Sequence, residues 1–312
     1  MLSTHPKKDI YLGILLATLA VVIWSGNFVI ARGVSAQVGP FSLAFYRWAT
    51  ATCIMAPIAW KSFSSEKKLL YTHRKYLIWV ALSGITLFNS FIYIAGHYTS
   101  AINLALVGTT SSPIFATVLA LIFLKEKISA FRLVGIMVCL SGILLLLSGG
   151  KLETLLSFRF SKGDLWVLCG AMAFAVYNVL VRKKPLQISS LSFLFIIFFV
   201  GTIMLIPGFI IEQSAGMQTQ WSWQLIGVIL YLGAGTSVIS FMSWNIAIQK
   251  LGTGRTVLFG NLTPIFSTLE AVWLLGERIT HVHLISGLLV VSGLVLANTR
   301  RKPKRNSETL YE

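Results

Sequence analysis

Pro113-Ile114-Phe115-Ala116-Thr117, followed by Leu124-Lys125-Glu126-Lys127-Ile128-Ser129, returns 151 residues later as Pro264-Ile265-Phe266-Ser267-Thr268 and Leu275-Gly276-Glu277-Arg278-Ile279-Thr280. The same shift lays Ser141-Gly142 on Ser292-Gly293 and Asn27 on Asn178. One offset serving several separated regions marks an internal duplication.

Outward from these elements, apolar runs lie between charged breaks near 11–32, 41–60, 76–97, 101–124, 130–149, 163–182, 188–211, 222–249, 254–275 and 280–299. Each is close to the twenty residues needed to cross ~30 Å of hydrocarbon. The expected fold is therefore an all-α membrane protein of ten transmembrane helices. It divides into a first five-helix repeat over 11–149, a second over 163–299, and a basic tail over 300–312. Five is odd, so the second copy should enter the bilayer from the opposite side, giving an inverted repeat.

Composition agrees. Of 312 residues, 55% are hydrophobic and 12% charged, far from a soluble balance. The net charge of +16 arises from only ten acids, and the bases cluster between apolar runs, which encodes topology and does not point to a nucleic-acid partner. With both termini placed in the cytoplasm, the inside segments hold 20 Lys and Arg and the outside segments five. That bias favours both ends inside a cell membrane, the inner membrane in a two-membrane cell. The run from Tyr11 to Arg32 exceeds a signal-peptide core and reads as a retained anchor. Cys53, Cys139 and Cys169 show no pairing pattern and read as small packed hydrophobes. Trp60, Trp79, Trp166, Trp221, Trp223 and Trp273 fall near span ends, where indole rings anchor at the headgroup level.

With these elements in view, the chain resembles the EamA family of the drug/metabolite transporter superfamily. The carrying features are Trp24-Ser25-Gly26-Asn27, Tyr46-Arg47-Trp48, and the repeated Pro-Ile-Phe…Leu-x-Glu-(Lys/Arg)-Ile-(Ser/Thr) element. The resemblance implies a secondary carrier exporting amino acids, related metabolites or toxic compounds through a cavity between the halves. It does not fix the substrate.

The residues lead to a neighbouring conclusion. Inverted repeats suit alternating access around a midplane site. The sequence lacks a phosphate-binding GxxxxGK(S/T) loop, so an ion gradient, with protons as the candidate coupling ion, or the substrate's own gradient supplies the energy. No cofactor is implied, and the oligomeric state is left open. The competing readings are a channel, a non-transporting scaffold, and an intramembrane enzyme. Neither HExxH nor GxSxG occurs, which disfavours the last.

Polar amides inside hydrocarbon need partners, so Asn27, Asn89, Asn178, Asn245 and Asn261 should face the bundle interior, as helix-packing contacts or as cavity lining. Trp24, Tyr93, Tyr177 and Trp244 are candidate aromatic walls. Pro113 and Pro264, near the centres of the fourth and ninth spans, are candidate kinks or gates, with Thr110, Ser111, Ser112 and Thr263 satisfying the freed backbone. Away from the span ends, Arg47 is the single base inside a span and Glu270 the single acid. Arg47 either snorkels, caps carbonyls or pairs with Glu270; Glu270 is the candidate coupling group. Glu126 and Glu277 read as turn residues pairing locally with adjacent bases. His281 and His283 lack a third ligand for a metal.

Overall fold

The structure, a computed structural model, describes residues 6–124, 130–151, 153, 161–251, 256, 259–260 and 262–298. Asn261, the turn 125–129 and the tail 300–312 lie outside the described residues, as do the side chains of Thr110 and Pro113.

Ten principal helices make up the described residues: α1 (Pro6–Gly33), α2 (Pro40–Thr72), α3, α4 (Ala101–Leu124), α5 (Ala130–Leu147), α6 (Lys162–Arg182), α7 (Ser190–Ser214), α8, α9 (Thr263–Leu275) and α10 (His281–Asn298). Two of these change pitch within the span. α3 runs as Arg74–Ala81, a π-helical Leu82–Leu87 and Phe88–Gly96, and α8 as Trp223–Leu230, a π-helical Tyr231–Ile239 and Ser240–Leu251.

Five helices are long and apolar enough by themselves to cross a membrane: Asp9–Gly33, Arg74–Gly96, Lys162–Val181, Ser190–Ser214 and Trp223–Ala247. The 24 residues of α4 reach about 36 Å, also sufficient. α2 continues to Thr72, so most of the basic stretch expected as a loop is a helical extension with Lys61, Lys67 and Lys68 exposed.

Local chemistry sets the helix ends. Ser161 and Asp164 form a reciprocal capping box at the start of α6, with Asp164 N to Ser161 Oγ at 3.1 Å and Ser161 N to Asp164 Oδ2 at 3.0 Å. Ser189 and Ser222 cap α7 and α8 in the same sense. Pro40 occupies the first turn of α2, where a missing N–H costs nothing.

The duplication is visible in the packing. Shifting Leu82–Leu87 by 151 residues lands inside Tyr231–Ile239, so both copies carry the same π-helical insertion. Contacts α1–α8, α1–α9 and α2–α8 have counterparts in α6–α3, α6–α4 and α7–α3, while α2–α7, α4–α9 and α5–α10 map onto themselves. The mates run antiparallel. Glu212 near the end of α7 accepts from Phe41 N and Ser42 N at the start of α2, and Glu66 near the end of α2 accepts from Ser189 N at the start of α7. Glu277, just beyond α9, likewise accepts from Ala101 N at 2.7 Å and Ile102 N at 3.1 Å at the start of α4. Its role is a cap on its repeat mate's helix, not the local pairing expected, because four orphan N–H groups at a helix start attract an anion.

The symmetry is incomplete. α1 packs against the end of α3 and against α4, and α2 packs on α3, but among the described residues α6 has no comparable packing on α8 or α9, nor α7 on α8. At the closed end, Arg32 Nη1 donates to the Gly96 carbonyl at 3.2 Å, and a Cβ at Gly96 would overlap the Ala31 carbonyl. Among the described residues the second copy lacks the closure that the first makes here.

Candidate functional site

Arg47 projects from α2 into the bundle centre and is 5% exposed. Such burial is tolerable for a guanidinium only if its donors meet oxygens. Nη1 donates to Asn27 Oδ1 at 2.6 Å, Tyr93 OH at 2.9 Å and Asn89 Oδ1 at 3.0 Å, and Nε donates to Ser237 Oγ at 3.0 Å. Its plane also lies over the Trp48 ring, 4.8 Å from the centroid.

The acceptors are themselves held. Asn89 Nδ2 donates to the Ile85 and Gly84 carbonyls of the π-helical turn, which leaves Oδ1 to face Arg47. Tyr93 OH donates to Asn27 Oδ1 at 3.0 Å. Ser237, within the π-helical turn of α8, donates to the Leu232 carbonyl. The π-helical turn of α8 thus supplies Ser237 to Arg47, and that of α3 orients Asn89 toward it through its carbonyls, a common use of such insertions.

Arg47, Asn27 and Asn89 form one wall of a cavity of about 480 Å³. The remaining walls are aromatic. Trp24 donates Nε1 to the Thr236 carbonyl at 2.9 Å and packs against Trp244 with centroids 5.2 Å apart. Phe174 stacks on Tyr177 at 5.4 Å and lies 4.6 Å from Phe88. Tyr177 fits because its ring fills the place a Cβ at Gly84 would take. Asn178 and Val181 extend the lining toward the end of α6, into the gap left by α8.

The structure therefore brings together Trp24, Asn27, Arg47, Asn89, Tyr177, Asn178 and Trp244 around one cavity. Tyr93 is not part of its surface: it is 1% exposed and stands behind Arg47 as a support. Asn245, expected to face inward, is exposed, because its amide is satisfied by the Phe241 carbonyl of its own helix.

Pro264 does not sit at the centre of an unbroken helix. It occupies the first turn of α9, where Thr263 Oγ1 donates to the Gly260 carbonyl, so no internal hydrogen bond is lost. Pro113 lies within α4, but the adjacent Ser111 and Ser112 hydroxyls have no partner among the described residues and do not serve the freed backbone. Cys139 is buried against the Val290 carbonyl at 3.4 Å, whereas Cys53 and Cys169 are exposed rather than packed.

Arg47 and Glu270 do not pair. Glu270 accepts from Ser25 Oγ at 2.7 Å through Oε1, and its buried Oε2 has no partner among the described residues. Arg47 spends its bonds on neutral oxygens, so the cavity wall keeps an uncompensated positive charge. His283 Nδ1 accepts from Thr280 N at 3.1 Å, capping α10.

Sequence reasoning missed Ser237, Phe174, Phe241 and Ser25. A signal existed for Ser237: the 151-residue shift lays it on Thr86, and Gly235 on Gly84. Small and hydroxyl residues at matched places in two spans mark the widened turns.

A model of the EamA-like transporter family matches residues 11–148 and 161–299. An uncharacterized transporter of Archaeoglobus fulgidus is 28% identical, covering 92% of this chain and 97% of that protein. The uncharacterized transporter YyaM of Bacillus subtilis is 28% identical over 96% of this chain and 98% of its own length. A solved crystal structure, 19% identical and covering 91% of this chain and 96% of that one, shares the fold with a TM-score of 0.59.

Proposed function

Because the chain belongs to the EamA-like transporter family, spanning a membrane several times, we propose that it is a secondary carrier exporting small organic molecules by alternating access. Amino acids, related metabolites and small toxic compounds are the substrate classes this reading covers. It is a transporter and not an enzyme.

The observation that carries the proposal is the one-sided closure. Packing of α1 on α3 and α4 shuts one end, and among the described residues α6 makes no comparable packing on α8, so the cavity is read as opening at the other. Exchanging the roles of the two antiparallel copies would close α6 on α8 and release α1 from α3, exposing the same cavity to the opposite side. Rocking of inverted repeats is the economical route between these states. The distribution of 20 inside against five outside bases supports a reading with both termini in the cytoplasm and the open end toward it, in an inner or plasma membrane.

Glu270 is the coupling group in this reading. Its repeat mate is Leu119, so the scaffold needs no carboxylate there, and an acid among packed helices is retained for function by default. Ser25, which holds it, adjoins Trp24 and Asn27 of the cavity on α1. A proton taken up at Oε2 would thus alter the helix that lines the substrate site.

Expression in a susceptible host tests the proposal, measuring resistance and export across amino acids, analogues and toxic compounds. Saturable export of at least one class, lost in Trp244→Ala with membrane insertion intact, is the expected result. Flux that does not saturate would favour a channel, and no flux for any class would overturn the carrier reading.

A further inference from the structure

Resting on the carrier reading and narrowing its substrate class, we infer that the cavity is built for a monoanionic organic acid with an apolar body, its carboxylate docked on the Nη2 edge of Arg47. Arg47 is 5% exposed and lines the cavity. Its Nε and Nη1 hydrogens are committed to Ser237, Asn27, Asn89 and Tyr93, and Nη2 has no protein acceptor among the described residues. A buried guanidinium with unused donors calls for an acceptor, and a carboxylate supplies the strongest one.

Charge makes the same selection. Among the described residues the cavity lining contains no Asp or Glu, and Glu270 is turned to Ser25 outside that lining. Every group bonded to Arg47 is neutral. One anionic group therefore balances the site, and a second would have no cation to meet.

The position of the aromatic residues then fixes the body of the ligand. Trp24, Phe174, Tyr177, Phe241 and Trp244 line the same cavity of about 480 Å³ as Arg47 and give it an aromatic surface. Asn178, whose amide has no protein partner among the described residues, adds one polar contact near the open end. An α-amino acid fits this arrangement poorly. Its ammonium is two bonds from the carboxylate carbon and would lie beside the guanidinium with no acid to offset the like charge.

Binding of four probes that share a phenyl body to the full-length protein in nanodiscs tests the inference, read by fluorescence of the wall tryptophans and by thermal shift. The probes are 3-phenylpropionate, 3-phenylpropionamide, phenethylamine and L-phenylalanine. The acid should bind roughly tenfold or more tightly than each of the others, the range expected for a charge-assisted hydrogen bond. Arg47→Gln should remove that advantage, and Arg47→Lys should keep part of it. Should Arg47→Gln fail to fold, the wild-type series together with Arg47→Lys decides.

Equal or tighter binding of phenylalanine or the amine would overturn the assignment. So would an advantage that survives Arg47→Gln, or binding by none of the probes. Proteoliposomes separate this from the carrier reading. Acid binding without saturable flux would sink the carrier and leave the site standing, whereas saturable flux of only cations or zwitterions would do the reverse.

Discussion

The Glu212 carboxylate accepts from the Ser42 backbone N–H at 2.7 Å, joining the end of one helix to the start of its repeat mate. Glu66 makes the reciprocal contact with Ser189 N at 3.1 Å. The two caps are unequal, since Glu212 is 6% exposed and also receives Phe41 N and Ser42 Oγ. Glu212→Ala strands three donors in a dry site and should cost about 2–4 kcal/mol. Glu66→Ala, at a half-buried cap, should cost about 1 kcal/mol. Unfolding in mild detergent ranks the two, and a larger loss for Glu66→Ala would contradict the antiparallel cap.

Gly96 lets the closed end shut, because its hydrogen occupies the place where a Cβ would meet backbone that cannot yield. Gly96→Val should hold α1 away from α3 and impair export. In a Trp244→Cys background, an impermeant maleimide added from outside should then label the cavity several-fold faster. Unchanged labelling would mean that closure does not depend on this contact.

Glu270→Gln should abolish gradient-driven efflux while preserving substrate exchange, because the amide still accepts from Ser25 but cannot carry a proton. Since Arg47 is not its partner, adding Arg47→Gln should not restore function. Full gradient-driven activity in the single variant would remove Glu270 from the coupling role.

Reporter fusions at Gly150, after five helices, and at the C-terminus should report opposite sides of the membrane, the latter cytoplasmic. The basis is the 20-to-five distribution of bases. Reports from the same side would refute the inverted arrangement.

The number and type of the helices were legible without coordinates, because hydrocarbon admits few backbone arrangements and each apolar run must be about one bilayer long. The repeat offset carried further, relating Asn27 to Asn178 and foreshadowing matched π-helical turns. Rotation about each helix axis was not legible. Apolar residues cover the lipid-facing and the packed faces alike, so Asn245 and Asn89 looked equivalent, yet one is exposed and the other 1% exposed at the Arg47 cluster. Likewise, Arg47 and Glu270 were the two charges inside spans, and opposite sign suggested a pair. Tertiary packing instead gave Arg47 four neutral acceptors from three helices and turned Glu270 to Ser25. Which end of the bundle carries the tight packing was also beyond sequence, since it rests on backbone contacts such as Gly96 against Ala31, which no residue pattern within one helix encodes.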